Sequence, residues 1–527
     1  MKPLLPLVYA ALFAVAHTQS HLYYSNQNQY FLKGVAAGTD TPLSQDWLVN
    51  TADPVPLFSG FVSLCVRFVG EWPFQVAFFL ALVGYFLAAW RLVEKLRPLS
   101  PLGGVVFAFA FTAIHSGLLR WASTAVFGED YLWFFQCGLA NQYLLGPGLQ
   151  PSVVGVLLLW AVAEYAGGRA VWAAGIAAVS TLVHSTYLLP VAMLTAGFVV
   201  HLLVQRNWKA ALLSSAVAVL LVSPAVAYIL AVFAPTDAAT FAESQRILAE
   251  VRIPHHCRPT RWFDWAGGVQ VAWMILGLVL LRKSRLFVPL LVVFGLVLVG
   301  TVAVIVTANP TLSLLFPWRV TAVLVPVCTA AVLSWRPHPP APSPTRRGGV
   351  QPAWVFWLLF VLFALFAIVS AILVYALGLG YREPENEAPL LAHVAETRTA
   401  ADVYLIPAKF PAPSKDFSGV YSKTFTPPQP AFSDLARFRL ATRGRLYADF
   451  KAIPYKDADV IEWHRRVGNC ERWYAQSDWD GVIDEVSAEG ITHVITLADK
   501  PIRSRRLEMV FQTPKHHLYR VTPKPIP

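Results

Sequence analysis

Apolar residues in this chain gather into long blocks, and the polar stretches between most of the blocks are short. The blocks run at about 57–90, 101–120, 149–167, 170–188, 189–205, 209–234, 266–281, 286–307, 312–334 and 354–379. Most approach the roughly 20 residues that a helix needs to cross a bilayer. The first block is too long for one crossing. Its Gly70–Pro73 stretch predicts an interfacial or broken piece followed by a true span. The opening MKPLLPLVYAALFAVAHTQS fits either a spanning helix or a cleaved signal peptide. The helix is preferred, because no clean A-x-A site precedes a polar stretch. About eleven spans follow from these blocks.

The pattern changes near residue 380. Residues 1–380 read as the transmembrane domain, with large loops at 20–56, 120–150 and 235–265 and a Pro-rich basic linker at 336–350. Residues 381–527 read as a soluble α/β domain. Strand-like stretches lie at 401–407, 445–455 and 492–499. Helical stretches lie at 432–442 (with Ser433 as N-cap), 457–467 and 478–490, the last closed by Gly490. Residues 508–521 predict a terminal hairpin, and strands alternating with helices predict a small, partly parallel sheet. The fold class is therefore an α-helical polytopic membrane protein with a small C-terminal α/β domain.

Composition agrees. The chain has 527 residues, 56% apolar and only 14% charged, where a soluble domain carries about a quarter. The net charge of +11 does not call for nucleic acid, since much of it sits in short loops. Arg91, Lys95 and Arg97, then Arg169, then Arg206 and Lys209, then Arg282, Lys283 and Arg285, then Arg336, Arg346 and Arg347 all fall on one side when crossings are counted from an inside N-terminus. That is the positive-inside pattern. It places the N-terminus in the cytoplasm and the C-terminal domain outside, in a bacterial inner (plasma) membrane. Five cysteines (Cys65, Cys137, Cys257, Cys328 and Cys470) show no CxxC or metal-ligand spacing. Buried free thiols are the preferred reading, with one disulfide among Cys137, Cys257 and Cys470 left open.

Polar chemistry collects mostly on the other side. The first loop, 21–54, carries Asn28 and Gln29 and has three acids, Asp40, Asp46 and Asp53. Asp53–Pro54 reads as a turn. The 120–152 segment sets Arg120, Glu129, Asp130, Gln136, Asn141 and Gln142 among aromatics and suits a re-entrant hairpin. The 235–265 connection holds Glu243, Arg246, Glu250, Arg252, His255, His256, Arg258, Arg261 and Asp264. Four arginines there oppose the usual depletion of outer basic residues, and the guanidinium fork matches phosphate oxygens. Arg319 beside Trp318 reads either as an interfacial snorkel or as a cavity group. His184 and His115 lie near outer span ends, where a bond to a neighbouring helix is the plain alternative. His255 and His256 are adjacent with no third ligand in register, so no metal site is assigned. Glu462 and Arg466, spaced i,i+4, read as a surface pair.

This plan resembles the GT-C superfamily of integral membrane glycosyltransferases, of the protein-mannosyltransferase and aminoarabinose-transferase type. It also resembles uncharacterised bacterial membrane proteins with an outer R-x-PHH-x-x-P segment, here Arg252, Pro254, His255, His256 and Pro259. The resemblance implies transfer of a sugar from a polyprenyl-phosphate carrier at the outer (periplasmic) face, with membrane lipid as partner. No cofactor is required, and a divalent metal is compatible. Where the family pattern has acids after the first span, this chain has Ser25, Asn26, Gln27, Asn28, Gln29 and Tyr30. An amide cannot take a proton as general base. Asp46, with Asp40 behind it, is then the candidate base, and Trp47 beside Asp46 offers an indole for a sugar ring. His255 or His256 would assist. Arg252, Arg258, Arg261 and Arg319 would hold phosphate, with Glu243, His184, Asn28 and Gln29 around the substrate. The rival classes are a transporter or flippase of a lipid-linked or anionic substrate and a non-enzymatic assembly protein. The sequence does not specify the sugar, the acceptor or the oligomeric state.

Overall fold

In a computed structural model of the chain, residues 4–17, 19, 21–335, 353–377, 386–410 and 435–522 are described, without the side chain of Arg261. The Pro-rich linker, Arg336, Arg346, Arg347 and Ser433 lie outside these residues. Six helices are long and apolar enough to cross a membrane: Trp72–Leu96, Ser185–Val204, Trp208–Val232, Phe287–Thr307, Pro310–Ser334 and Ala353–Ala376. Shorter apolar helices cover Leu4–Ala16, Pro56–Phe68, Pro101–His115, Pro151–Ala166, Ala170–Val183 and Trp265–Leu280. Every apolar block read from the sequence contains one of these helices.

The outward faces are strongly apolar. Leu212, Leu220, Leu230, Val306 and Ile372 are all more than half exposed. Water does not tolerate patches of this extent on a stable monomer, whereas lipid covers them. The chain is a multi-pass membrane protein.

Small residues set the packing at the centre. On Pro310–Ser334, Ala322, Cys328, Ala330 and Ala331 are buried. A Cβ added at Gly277 would stand 2.4 Å from the Cys328 Cβ, so the two helices approach closely. Leu4–Ala16 is embedded in the same bundle. Its Phe13 packs on Tyr85 and Phe111, and its Ala16 carbonyl accepts a 2.7 Å bond from the Ser370 hydroxyl.

The long first block breaks where expected. Pro56–Phe68 ends, Gly70 turns the chain at φ 98, and Trp72–Leu96 begins with Pro73 in its first turn. Pro56–Phe68 lies against the Leu32–Gly38 helix of the first loop. A Cβ on Gly34 would meet the Ser59 carbonyl oxygen at 2.5 Å. These stacked helices form a floor under the first loop.

Basic connections meet at one end of the bundle. Glu164 takes Arg91 at 2.6 Å and also pairs with Arg169. Next to Glu164, the Tyr165 hydroxyl sits 2.6 Å from His201 Nδ1, and His201 is within electrostatic reach of Arg285. Four of the five basic groups contain described residues, and Arg91, Arg169 and Arg285 from three of them converge here.

The C-terminal region forms a five-stranded sheet in the order β2-β1-β3-β5-β4. The strands are β1 (Val403–Leu405), β2 (Arg445–Leu446), β3 (His493–Leu497), β4 (Leu507–Gln512) and β5 (His516–Val521). β1 pairs in parallel with β2 and β3, and β5 runs antiparallel to β3 and β4. Leu390, Val394 and Phe438 cover one face; Trp463, Val467, Trp473 and Val486 cover the other. Gly490 ends the Ile483–Ala488 helix with φ 76, as its position predicts. The expected strand 445–455 contracts to two residues, because the chain after Leu446 turns away to meet the membrane helices.

Candidate functional site

At the end of the bundle away from the Glu164 cluster, the first loop, the 235–265 connection, the Phe316–Val320 turn and the C-terminal domain converge. Tight turns with positive φ at Tyr23 and Ser25 fold the first loop back into the four-residue helix Gln27–Tyr30. Gln27 Nε2 anchors it to the Leu149 carbonyl at 2.8 Å. Gln29 and Tyr30 then face Tyr455 of the C-terminal domain. The Tyr455 hydroxyl bonds to both Gln29 and Tyr30, and burial pushes its phenol well above the usual tyrosine range.

Two guanidiniums flank this tyrosine pair. Arg252 and Arg319 each lie within electrostatic reach of both Tyr30 and Tyr455. Arg252 is buried, donates from Nη2 to the Lys451 carbonyl at 2.7 Å, and lies 5.2 Å over the Phe450 ring. Its Nε has no partner, and burial pulls its pKa below the usual arginine value. Arg319 is half-buried. Its neighbours are Tyr187, Tyr30, Cys257 and Tyr455. Among the described residues, neither arginine is paired with a carboxylate. His184 completes the wall, with its ring 5.5 Å from Tyr30 and 5.6 Å from Tyr187 and its buried Nδ1 unbonded. Asn28 Oδ1 is buried and unbonded as well. Orphaned polar atoms at this density call for an explanation, and two cations without a carboxylate ion pair, Arg252 being within electrostatic reach of Asp449 only, match an anionic ligand.

The other expected residues land elsewhere. Asp46 is fully buried and occupied: Oδ2 accepts from Arg439 Nε and from the Leu446 amide, both at 2.8 Å, and Oδ1 accepts from the Leu48 amide at 2.9 Å. Arg439 is shared with Asp449. This carboxylate is a structural counter-ion with no open face for an acceptor hydroxyl, which corrects its expected role as base. Trp47 is covered by the Arg466 guanidinium 4.4 Å from its ring, so that face is closed to a sugar. Asp40 is exposed on the surface. Glu243 pairs with Arg246 at 2.7 Å on a solvent-facing helix, and Arg258 is exposed. Arg261's side chain lies outside the described residues. His256 rests on Gln142 at 3.0 Å and stacks near His255, which ties both to the 120–152 segment. His115 bonds Tyr85 of a neighbouring helix at 3.1 Å. Glu462 and Arg466 form their i,i+4 pair at 2.7 Å. Cys137, Cys257 and Cys470 are free and buried.

Beside these side chains lies a narrow crevice lined by Gln29, Tyr30, Lys33, Asp53, Ser59 and Tyr455 among others. Asp53 Oδ1 accepts from the Val55 amide at 2.9 Å, which makes the expected turn. Its Oδ2 carries no hydrogen bond among the described residues. Lys33 donates to the carbonyls of Leu48 at 3.1 Å, Val49 at 2.6 Å and Thr51 at 2.5 Å, and so holds the loop that carries Asp53. Burial pulls its ammonium down to about 8, against the attraction of Asp53, Asp459 and Asp46. Sequence reading did not single out Tyr30, Tyr187 and Lys33 as site residues, because nothing in their immediate neighbours sets them apart.

Residues 422–470 match the model of a domain of unknown function, DUF6798. Their described part contains Arg439, Tyr455 and Arg466, which meet Asp46, Gln29 and Trp47 of the first loop, and Asp449, which shares Arg439. No curated protein matches the chain. Among solved structures, the chain is similar to ArnT from Cupriavidus metallidurans, crystallised with undecaprenyl phosphate bound. That likeness has 13% identity, 98% coverage of this chain, 97% of that chain, and a TM-score of 0.43.

Proposed function

We propose that this protein is a GT-C-like membrane glycosyltransferase that takes a sugar from a polyprenyl-phosphate donor at the outer face of a bacterial inner membrane. The observation that carries the reading is the pair Arg252 and Arg319, grouped with tyrosines and His184 and lacking any described carboxylate ion pair. One phosphate between the two guanidiniums would satisfy both cations and the free Arg252 Nε. The span count of about eleven read from the sequence, with the basic loops in the cytoplasm, supports a position for this site at the outer leaflet, where the polyprenyl tail would lie between helices.

In this scheme the acceptor oxygen attacks the anomeric carbon and the bond from that carbon to the phosphate oxygen breaks. The electron pair leaves on the phosphate, where Arg252 and Arg319 stabilise it. The acceptor's proton goes to Asp53, the first-loop acid with an unoccupied oxygen, and the role first given to Asp46 passes to it. His184 and Gln29 orient the donor. No metal is required.

Binding of undecaprenyl phosphate to the full-length protein in lipid nanodiscs tests the reading. Arg252→Ala and Arg319→Ala should each weaken it by about ten- to a hundredfold, the worth of a charged hydrogen bond. Undecaprenol, which lacks the phosphate, should not compete. Unchanged affinity in both variants would remove the proposal. Asp53→Asn should bind the donor normally and lose sugar transfer in membranes; movement of intact lipid without transfer would mark a flippase instead.

A further inference from the structure

The end of the bundle away from Arg252 and Arg319 carries positive charge that its acids do not balance. Glu164 is buried and holds Arg91 on one oxygen and Arg169 on the other. Two further cations stand at the adjoining turn, Gly167–Gly168. The Lys95 stem lies along Gly167, where an added Cβ would come 3.2 Å from its Cε. The Arg285 guanidinium lies over Gly168, where an added Cβ would come 3.0 Å from its Nη1. Gly168 also takes φ 87, so the turn needs glycine there for its backbone as well as for this approach. Lys95 and Arg285 are both exposed, and among the described residues neither is hydrogen-bonded or paired with a carboxylate. Four cations from three connections therefore gather at one turn, and the acids in the same stretches are Glu164 and the exposed Glu94. The turn's own amides are occupied: the N–H groups of Gly167, Gly168 and Arg169 donate to the carbonyls of Ala163, Tyr165 and Glu164 at 3.1, 2.9 and 3.0 Å. Side chains alone are left to hold an anion.

Four tryptophans mark the depth of this cluster. Trp172 and Trp208 stand in the first turns of Ala170–Val183 and Trp208–Val232, directly after basic connections. Trp335 and Trp354 stand at the ends of their helices away from Arg319 and from Ser370. All four are more than half exposed. Exposed indoles at span ends settle at the level of lipid headgroups, which is where lipid phosphates lie. We propose that the Gly167–Gly168 turn binds the headgroup of an anionic phospholipid, with its phosphodiester between Lys95 and Arg285 and with Arg169 beside it. The phosphodiester supplies the counter-charge that Lys95 and Arg285 lack. A zwitterionic headgroup brings a cation of its own into the cluster, so a lipid of net negative charge is selected. This site lies at the opposite end from the sugar-donor reading and does not depend on it.

Native mass spectrometry of the full-length protein in a neutral detergent tests the proposal, with phosphatidylglycerol and phosphatidylcholine of the same acyl chains as probes. Phosphatidylglycerol should bind as the first lipid about tenfold more tightly. Lys95→Gln and Arg285→Gln leave the Glu164 pairs intact, and each should weaken that binding about fivefold without moving the phosphatidylcholine affinity. Either variant suffices if the other does not fold. Lys209→Gln removes the same charge from the remaining described basic connection and should change little. Equal binding of the two lipids, or an equal loss in Lys209→Gln, would overturn the proposal in favour of diffuse surface charge. Displacement of phosphatidylglycerol by millimolar inorganic phosphate would overturn it in favour of a soluble anion. A loss in Arg252→Ala with none in Lys95→Gln or Arg285→Gln would move the lipid to the other end of the bundle.

Discussion

Asp46 and Asp53 are seven residues apart in one loop, yet their surroundings give them different work. Asp46 has two backbone amides and a guanidinium around it, and Asp53 keeps an oxygen without a hydrogen bond among the described residues. Lys33 holds the loop segment that contains both. Its depressed value of about 8 makes a residue-level prediction. Amines react as the neutral form, so competitive acylation read by mass spectrometry should show Lys33 half-maximally reactive near pH 8, well below lysines of ordinary pKa. The sign for stability follows. Between about 8 and the ordinary lysine value of 10.5 the unfolded lysine holds a proton that the folded one has lost. Lys33 therefore contributes a stability that rises with pH across that window. A Lys33 profile centred near the ordinary lysine value would show that the ammonium is solvated.

At the scale of elements, two contacts decide how the domain meets the bundle. The Leu32–Gly38 and Pro56–Phe68 helices touch through Gly34, where a Cβ would clash with the backbone at Ser59. Gly34→Val should lower the melting temperature by several degrees through overpacking, about 1–3 kcal/mol. Above the floor, Arg439 bridges Asp46 of the first loop and Asp449 of the C-terminal domain in a buried triad. Arg439→Met strands two buried carboxylates and should cost about 3–5 kcal/mol, read as earlier melting and faster limited proteolysis of the C-terminal domain. Arg439→Lys should rescue little, since a single ammonium lacks the fork that reaches both acids and the Leu446 carbonyl. By contrast, Arg465→Ala, at a half-exposed pair, should change stability by less than about 1 kcal/mol. Equal effects of Arg439→Met and Arg465→Ala would mean that the triad does not dock the domain.

For the whole molecule, the basic connections and the candidate site lie at opposite ends. Arg91 and Arg169 close on Glu164 at one end, and the C-terminal domain rests on the other, held by Thr236 against Asp457 at 2.6 Å and by Arg443 against Glu71 at 2.5 Å. A sided labelling experiment reads the orientation. Cysteines placed at Asp480 and at Lys283, both exposed, should react from opposite sides of the membrane in intact cells, with Asp480→Cys reached by an impermeant maleimide from outside. Labelling of both from one side would undo the topology and, with it, the outer-face reaction.

Much of the architecture was legible in the chain alone. Hydrophobic length, the break at Gly70 and the C-terminal alternation are local properties, and local physics acts on them wherever the rest of the chain goes. The site was legible only in part. Arg252, Arg319, His184 and Gln29 were candidates because cations and amides concentrated beside apolar spans are conspicuous in composition, and the structure sets them around Tyr30 and Tyr455. Folding alone decided which acid stays free. Asp46 is consumed by Arg439, 393 positions away in the chain, and no spacing rule reaches that far. The same holds for Tyr455, brought beside Gln29 across 426 positions, because only the packed fold sets the C-terminal domain against the first loop.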